Sequence, residues 1–137
     1  MLARKLPSIF GLVLVLTTGL ATQNREPLYI CVNDTATINL GMGFTICDAI
    51  PTEALTNRLD KDHLQRRPGA LITKVIDAGV AQLAGLQPDD VVYRIGGVNV
   101  DNKEAATIQL QRIERTADTV VNFLRDGRPY LVRVRQP

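Results

Sequence analysis

The sequence predicts an α+β fold that is mainly β: a small, partly open β-barrel or sandwich with one main and one minor helix. Three observations point there. Short alternating or β-branched apolar runs recur along the chain, among them Gly43–Cys47, Ala70–Ile76 and Val91–Ile95. Residue pairs that reverse the chain separate such runs, notably Asn33-Asp34, Gly96-Gly97 and Asp126-Gly127. One longer stretch, from Asp101 or Asn102 to about Arg115, repeats apolar residues at helical spacing.

Each element follows in order. Thr22 to Pro27 reads as a loose polar leader. Leu28–Val32 and Thr35–Leu40 are short β-type runs parted by Asn33-Asp34. Asn33-Asp34-Thr35 also fits a glycosylation sequon, but such triplets are common and a plain turn is the preferred reading. Gly43–Cys47 is a strand with Phe44 and Ile46 on one face and Thr45 and Cys47 on the other. Pro51 is expected to stop its pairing, and Thr52 to cap a short helix that includes Leu55. Asp60–Pro68 is polar and charged, as a surface loop is. Ala70–Ile76 is the next strand, and Ala81–Ala84 make a short helical turn that Gly85 ends. Leu86–Asp90 turn the chain into the strand Val91–Ile95, which Gly96-Gly97 reverse into Val98–Val100. In the main helix Ala105 with Ile108, and Ala106 with Leu110 and Ile113, are expected to face the body of the domain. Thr119–Arg125 and Pro129–Arg135 form a closing hairpin, because Asp126-Gly127 suits a type I′ turn whose two central residues both take positive φ.

The first 21 residues read as a signal peptide, apart from the fold. Arg4 and Lys5 precede the apolar run Ser8–Leu20, and Gly19-Leu20-Ala21 places small residues where a signal peptidase reads them. The run is shorter than the ~20 residues that span a bilayer, which favours cleavage over an uncleaved anchor. Residues 22–39 are then a leader with the first strands, and residues 40–137 the domain proper. Removing Arg4 and Lys5 leaves 14 basic against 14 acidic residues. A neutral chain lacks the basic stripe of a nucleic-acid binder, and nothing basic beyond the signal suggests a lipid surface. Export places Cys31 and Cys47 in an oxidising compartment, periplasmic or extracellular, where one structural disulfide is the default; two buried free thiols are the alternative.

Several motifs together resemble the PDZ signature: Gly69–Ile76, Ala81-Gln-Leu-Ala-Gly-Leu86, then Asp90–Ile95 followed by Gly97. The closing Phe123–Pro129 looks like the terminal hairpin of PDZ domains in periplasmic serine proteases of the high-temperature-requirement family, here without a protease domain. The similarity runs from about Leu40 to Val134. Three positions depart from the family pattern: Asp77–Ala81, Asp89-Asp90 and Gly96-Gly97. Asp tolerates left-handed backbone angles better than most residues, so Asp89 can stand where the family has glycine.

Gly41-Met42-Gly43-Phe44 resembles the loop that in this family binds the terminal carboxylate of a peptide. The chemistry is independent of the resemblance: glycines let consecutive backbone N–H groups point into one concavity, which attracts an anion. The following strand is expected to leave one edge free for an extended peptide to join by backbone hydrogen bonds. A β-bulge or tight turn is the plain reading of the two glycines. By the family's placement Met42, Phe44 and Ile46, with Asn102, Ala106 and Leu110 across the groove, would select an apolar last residue; one step of helix register would substitute Lys103 and Thr107.

Catalytic residues are not legible. His63 lies in a charged loop, no second His or Cys stands at metal-ligand spacing, and Asp89-Asp90 suit a turn and strand start better than an acid–base pair. The expectation is a non-catalytic exported module without a cofactor, binding protein C-termini or extended segments with an apolar end. A second reading makes it a regulatory or adaptor subunit docked on a separate envelope protease or secretion complex. A third uses the sheet edges for structural contacts alone. A fourth, an enzyme acting through Cys31, Cys47 or His63, is the weakest.

Overall fold

The structure, a computed structural model, describes residues 26–113 and 118–135; the expected signal segment lies outside them. Eight strands and three helices follow one another within those residues: β1 (Tyr29–Cys31), β2 (Thr37–Asn39), β3 (Phe44–Pro51), α1 (Glu53–Arg58), β4 (Ala70–Val75), α2 (Val80–Ala84), β5 (Val91–Ile95), β6 (Val98–Asn99), α3 (Lys103–Arg112), β7 (Asp118–Arg125) and β8 (Arg128–Arg135). The strands pair antiparallel in the order β1-β3-β4-β5-β7-β8, with β2 also on β3 and β6 on β5.

Turn chemistry explains most of the punctuation. Asp126 and Gly127 take φ of 54° and 76°, the type I′ requirement, and join β7 to β8 in register from Arg125↔Arg128 to Asp118↔Arg135. Gly85 is left-handed at φ 96° and closes α2, its N–H bonding the Ala81 and Gln82 carbonyls. Asp89 does adopt a left-handed φ of 77°, which Asp tolerates better than most residues. Asn102 caps α3, its Oδ1 accepting the Ala105 N–H at 2.8 Å.

Period-two alternation divides the sheet between two clusters. Phe44, Ile46, Ile72, Val92 and Phe123 face α2 and α3, packing with Ala81, Leu86, Ala106 and Leu110. Cys47, Leu71, Val91, Tyr93 and Leu124 face the other way, onto Tyr29, Leu55 of α1 and Leu64. Full burial of one such aliphatic or Phe side chain stabilises by about 1.5–3 kcal/mol. Cys31 and Cys47 are disulfide-bonded, Cα atoms 5.5 Å apart, which ties β1 to β3.

Three local expectations change. Pro51 does not interrupt pairing: it is the last residue of β3, opposite Tyr29, a position where a missing N–H is tolerated. Thr52 makes no side-chain cap on α1; its hydroxyl donates instead to the Pro27 carbonyl at 2.7 Å, fastening the leader. Ile108 is exposed, and the buried stripe of α3 is Ala106 and Leu110.

Candidate functional site

The loop Leu40–Gly43 joins β2 to β3, and the chain around it fixes which way its amides point. The Met42 carbonyl accepts the Ala81 N–H at 2.7 Å, and the Gly43 carbonyl accepts the Ile76 N–H at 2.8 Å. Both carbonyls are thereby turned toward the segment that enters α2. In a planar trans peptide the N–H opposes the C=O, so the Gly43 and Phe44 N–H vectors leave the opposite side. Gly43 is left-handed at φ 73°, and a Cβ there would stand 3.2 Å from the Gly79 Cα. Two glycines, one on each segment, permit this approach.

The Met42 and Gly43 N–H groups converge on one residue. Met42 N–H donates to Asn39 Oδ1 and Gly43 N–H donates to the Asn39 carbonyl, each at 2.8 Å. Two consecutive amides of the Gly41–Phe44 segment thus hold two oxygens of one residue.

A cleft of about 450 Å³ opens farther along, between the β2–β3 hairpin and the start of α3, lined by Thr37, Asp48, Asn102, Lys103, Glu104 and Thr107. Asp48 positions the helix: its Oδ1 accepts the Lys103 N–H at 2.8 Å, a carboxylate at the positive end of the helix dipole. The Thr107 hydroxyl donates to the Lys103 carbonyl at 2.8 Å and fixes its rotamer along the cleft.

The residues singled out from sequence separate into two groups. Gly41, Met42 and Gly43 lie in the loop, Phe44 opens β3, and Asn102 reaches the cleft. Met42, Phe44, Ile46, Ala106 and Leu110 are buried together in the core beneath it. On α3 the cleft is lined by the alternative register, Lys103 and Thr107. The expected free edge is corrected outright. β3 pairs with β4 on one side and, on the other, with β2 through Thr37↔Ile46, Ile38↔Thr45 and Asn39↔Phe44. Sequence reasoning missed Asn39, Thr37 and Asp48. A signal for the first two was present: the two-residue connection Gly41-Met42 between the runs Thr35–Leu40 and Gly43–Cys47 is the length of a hairpin loop.

A PDZ domain family model matches residues 34–122, well over half of the chain. The chain belongs to the PDZ domain family. Among solved structures, this PDZ chain superposes on an HtrA-type protease, AlgW with a decapeptide, at TM-score 0.55 and 20% identity, covering 69% of this chain and 27% of that one. It also superposes on the HtrA3 PDZ domain bound to a phage-derived ligand, FGRWV, at TM-score 0.55 and 12% identity, covering 75% and 89%. At those identities the likeness is one of fold, and the chain spans about a quarter of the protease's length. No curated protein matches the chain. The run that resembles the family's strand–helix–strand signature forms β4, α2 and β5.

His63 lies in an exposed turn at φ 56°. Among the described residues no three His, Cys, Asp or Glu side chains gather as a metal site requires, and no helix is long and apolar enough to cross a membrane.

Proposed function

We propose that this is an exported, non-catalytic peptide-binding module that captures protein C-termini, or extended segments with an apolar end, by pairing a strand with β3 in the place β2 holds. The observation that carries this reading is the convergence of the Met42 and Gly43 N–H groups on two oxygens of Asn39. A terminal carboxylate offers two oxygens with similar spacing and adds a charge that such a nest favours. Met42, Phe44 and Ile46 with Ala106 and Leu110 supply the apolar floor beneath the last side chain. The Cys31–Cys47 disulfide supports a periplasmic or extracellular location, where such a link persists.

The test is a binding titration of residues 22–137 against a C-terminal peptide library, each hit repeated as its C-terminal amide. Acids with apolar ends should bind in the micromolar range, about −8 kcal/mol, with amides much weaker. Equal binding of acid and amide sinks the carboxylate role of the loop.

A further inference from the structure

We infer that β2 is a resident ligand: Thr37–Asn39 occupies the strand edge and amide nest that an incoming C-terminus uses, and capture proceeds by exchanging one strand for another. The inference rests on the carboxylate reading of the Gly41–Phe44 loop and specifies how that site is reached.

Direction is the first support. β2 runs antiparallel to β3, with Asn39 opposite Phe44 at the loop and Thr37 farther along at Ile46. A peptide that presents its last residue to the loop must run the same way. Side-chain facing agrees. Thr37 and Asn39 sit opposite Ile46 and Phe44, on the face toward α3, while Ile38 opposite Thr45 points out and is 54% exposed. A bound peptide would alternate likewise, its last and antepenultimate residues turned into the groove. Occupancy of the nest completes the mimicry, since Asn39 supplies both acceptor oxygens from one residue.

The two ends of this segment are held very differently. Tyr29 is buried, its hydroxyl donating to the Gln65 carbonyl and accepting the Arg67 N–H, and Cys31 is bonded to Cys47. Thr37 and Ile38 are exposed and Asn39 half-buried, so β2 rests on backbone pairing and the Asn39 contacts. Strand exchange therefore stops at the staple. It frees the β3 edge over Phe44–Ile46 while β1 stays on Ala49–Pro51, and the captured chain pairs through about its last three residues before turning outward.

Substitutions at Asn39 separate a resident ligand from a mere loop brace. Asn39→Ala removes the Oδ1 acceptor and weakens the occupant, whereas Asn39→Asp puts a carboxylate of similar shape into the nest and strengthens it. Because apparent affinity scales with the fraction of competent protein, fluorescence anisotropy with a labelled apolar-ended peptide acid should show Asn39→Ala binding about fivefold tighter than wild type. Asn39→Asp should bind about fivefold weaker by the same relation. If both substitutions weaken binding, or neither moves it while wild type still prefers acid over amide, the resident-ligand inference is wrong and the carboxylate site stands. If neither wild type nor variants distinguish acid from amide, the carboxylate reading fails and this inference with it. A measurement on wild type guards against a variant that does not fold. On peptide saturation, hydrogen exchange should lose protection over residues 37–39 and retain it over residues 44–46; unchanged protection over 37–39 would overturn the exchange.

Discussion

The ion pair between Arg125 and Asp90 makes an asymmetric prediction about stability. Asp90 accepts Arg125 Nε–H at 2.8 Å and Nη2–H at 2.7 Å, and also the Gln87 N–H at 2.8 Å. The Asp90 side chain is 1% exposed and that of Arg125 is 31% exposed. Replacing Arg125 with Met keeps an aliphatic stem over the Phe123 ring, where the guanidinium carbon now lies 5.0 Å from the centroid. The substitution leaves a carboxylate in the interior. Breaking a buried pair this way costs about 3–5 kcal/mol, and partial exposure of Arg125 argues for the low end, about 3 kcal/mol. Asp90→Ala leaves the guanidinium within reach of water and of the Gly85 carbonyl it already contacts at 2.8 Å. Its expected cost is about 1.5–2 kcal/mol, for the charge-assisted bonds lost. Urea unfolding at pH 7 reads both, and thermal melts should fall by roughly 4–8 °C per kcal/mol for a domain of this size. The double substitution should cost less than the sum of the singles by at least about 1 kcal/mol. If Arg125→Met proves milder than Asp90→Ala, or the effects simply add, burial of Asp90 is not what makes this pair matter.

Three further outcomes are expected. Cys31→Ser with Cys47→Ser opens a link of sequence separation 16, and should lower stability by about 3 kcal/mol, the chain-entropy value for a loop near that length; a urea midpoint unchanged under reducing conditions would contradict this. Gly127→Ala should cost more than Gly97→Ala, although both glycines have positive φ, because a Cβ at 127 meets Leu64 Cβ at 2.9 Å and one at 97 meets nothing within 4 Å; equal melting shifts would refute the packing argument. Hydrogen bonds from Arg58 and Arg135 hold the carboxyls of Asp62 and Asp118 below the usual carboxylate range. Their small contribution is complete above the unfolded carboxylate pKa of about 3.9 and is lost as pH falls through the lower folded values. Asp62→Asn with Asp118→Asn should therefore flatten the fall in urea midpoint between pH 6 and pH 2.5, and an equally steep fall would count against it.

What was legible in the sequence was whatever local chemistry decides. Asp126-Gly127 and Gly85 after α2 take the backbone conformations their turns require, and of the two cap candidates Asp101 and Asn102 the structure uses Asn102. Alternation in Phe44–Cys47 correctly divided the two faces of β3. Alternation says nothing about edges, because backbone pairing is blind to side chains. That is why the partnership of β2 with β3 was missed while the run Thr35–Leu40 was recognised. Asp48 was invisible for another reason. It serves the N–H of Lys103, 55 positions away, and no local pattern encodes that meeting. On α3 the apolar repeat was read too widely: Ile108 shares the spacing but faces solvent, and Ala106 and Leu110 form the buried stripe.

The placement of the staple also has a mechanical consequence. Tension applied through the chain ahead of Tyr29 would tend to unzip β1 first, and in an all-backbone hairpin the tear would run on into β2. Here Cys31 lies between the point of pull and Thr37, and its bond to Cys47 carries the load into the sheet. While that bond is intact, strain on the leader cannot peel open the strand at the glycine loop. Once it is reduced, the same pull reaches Asn39 directly.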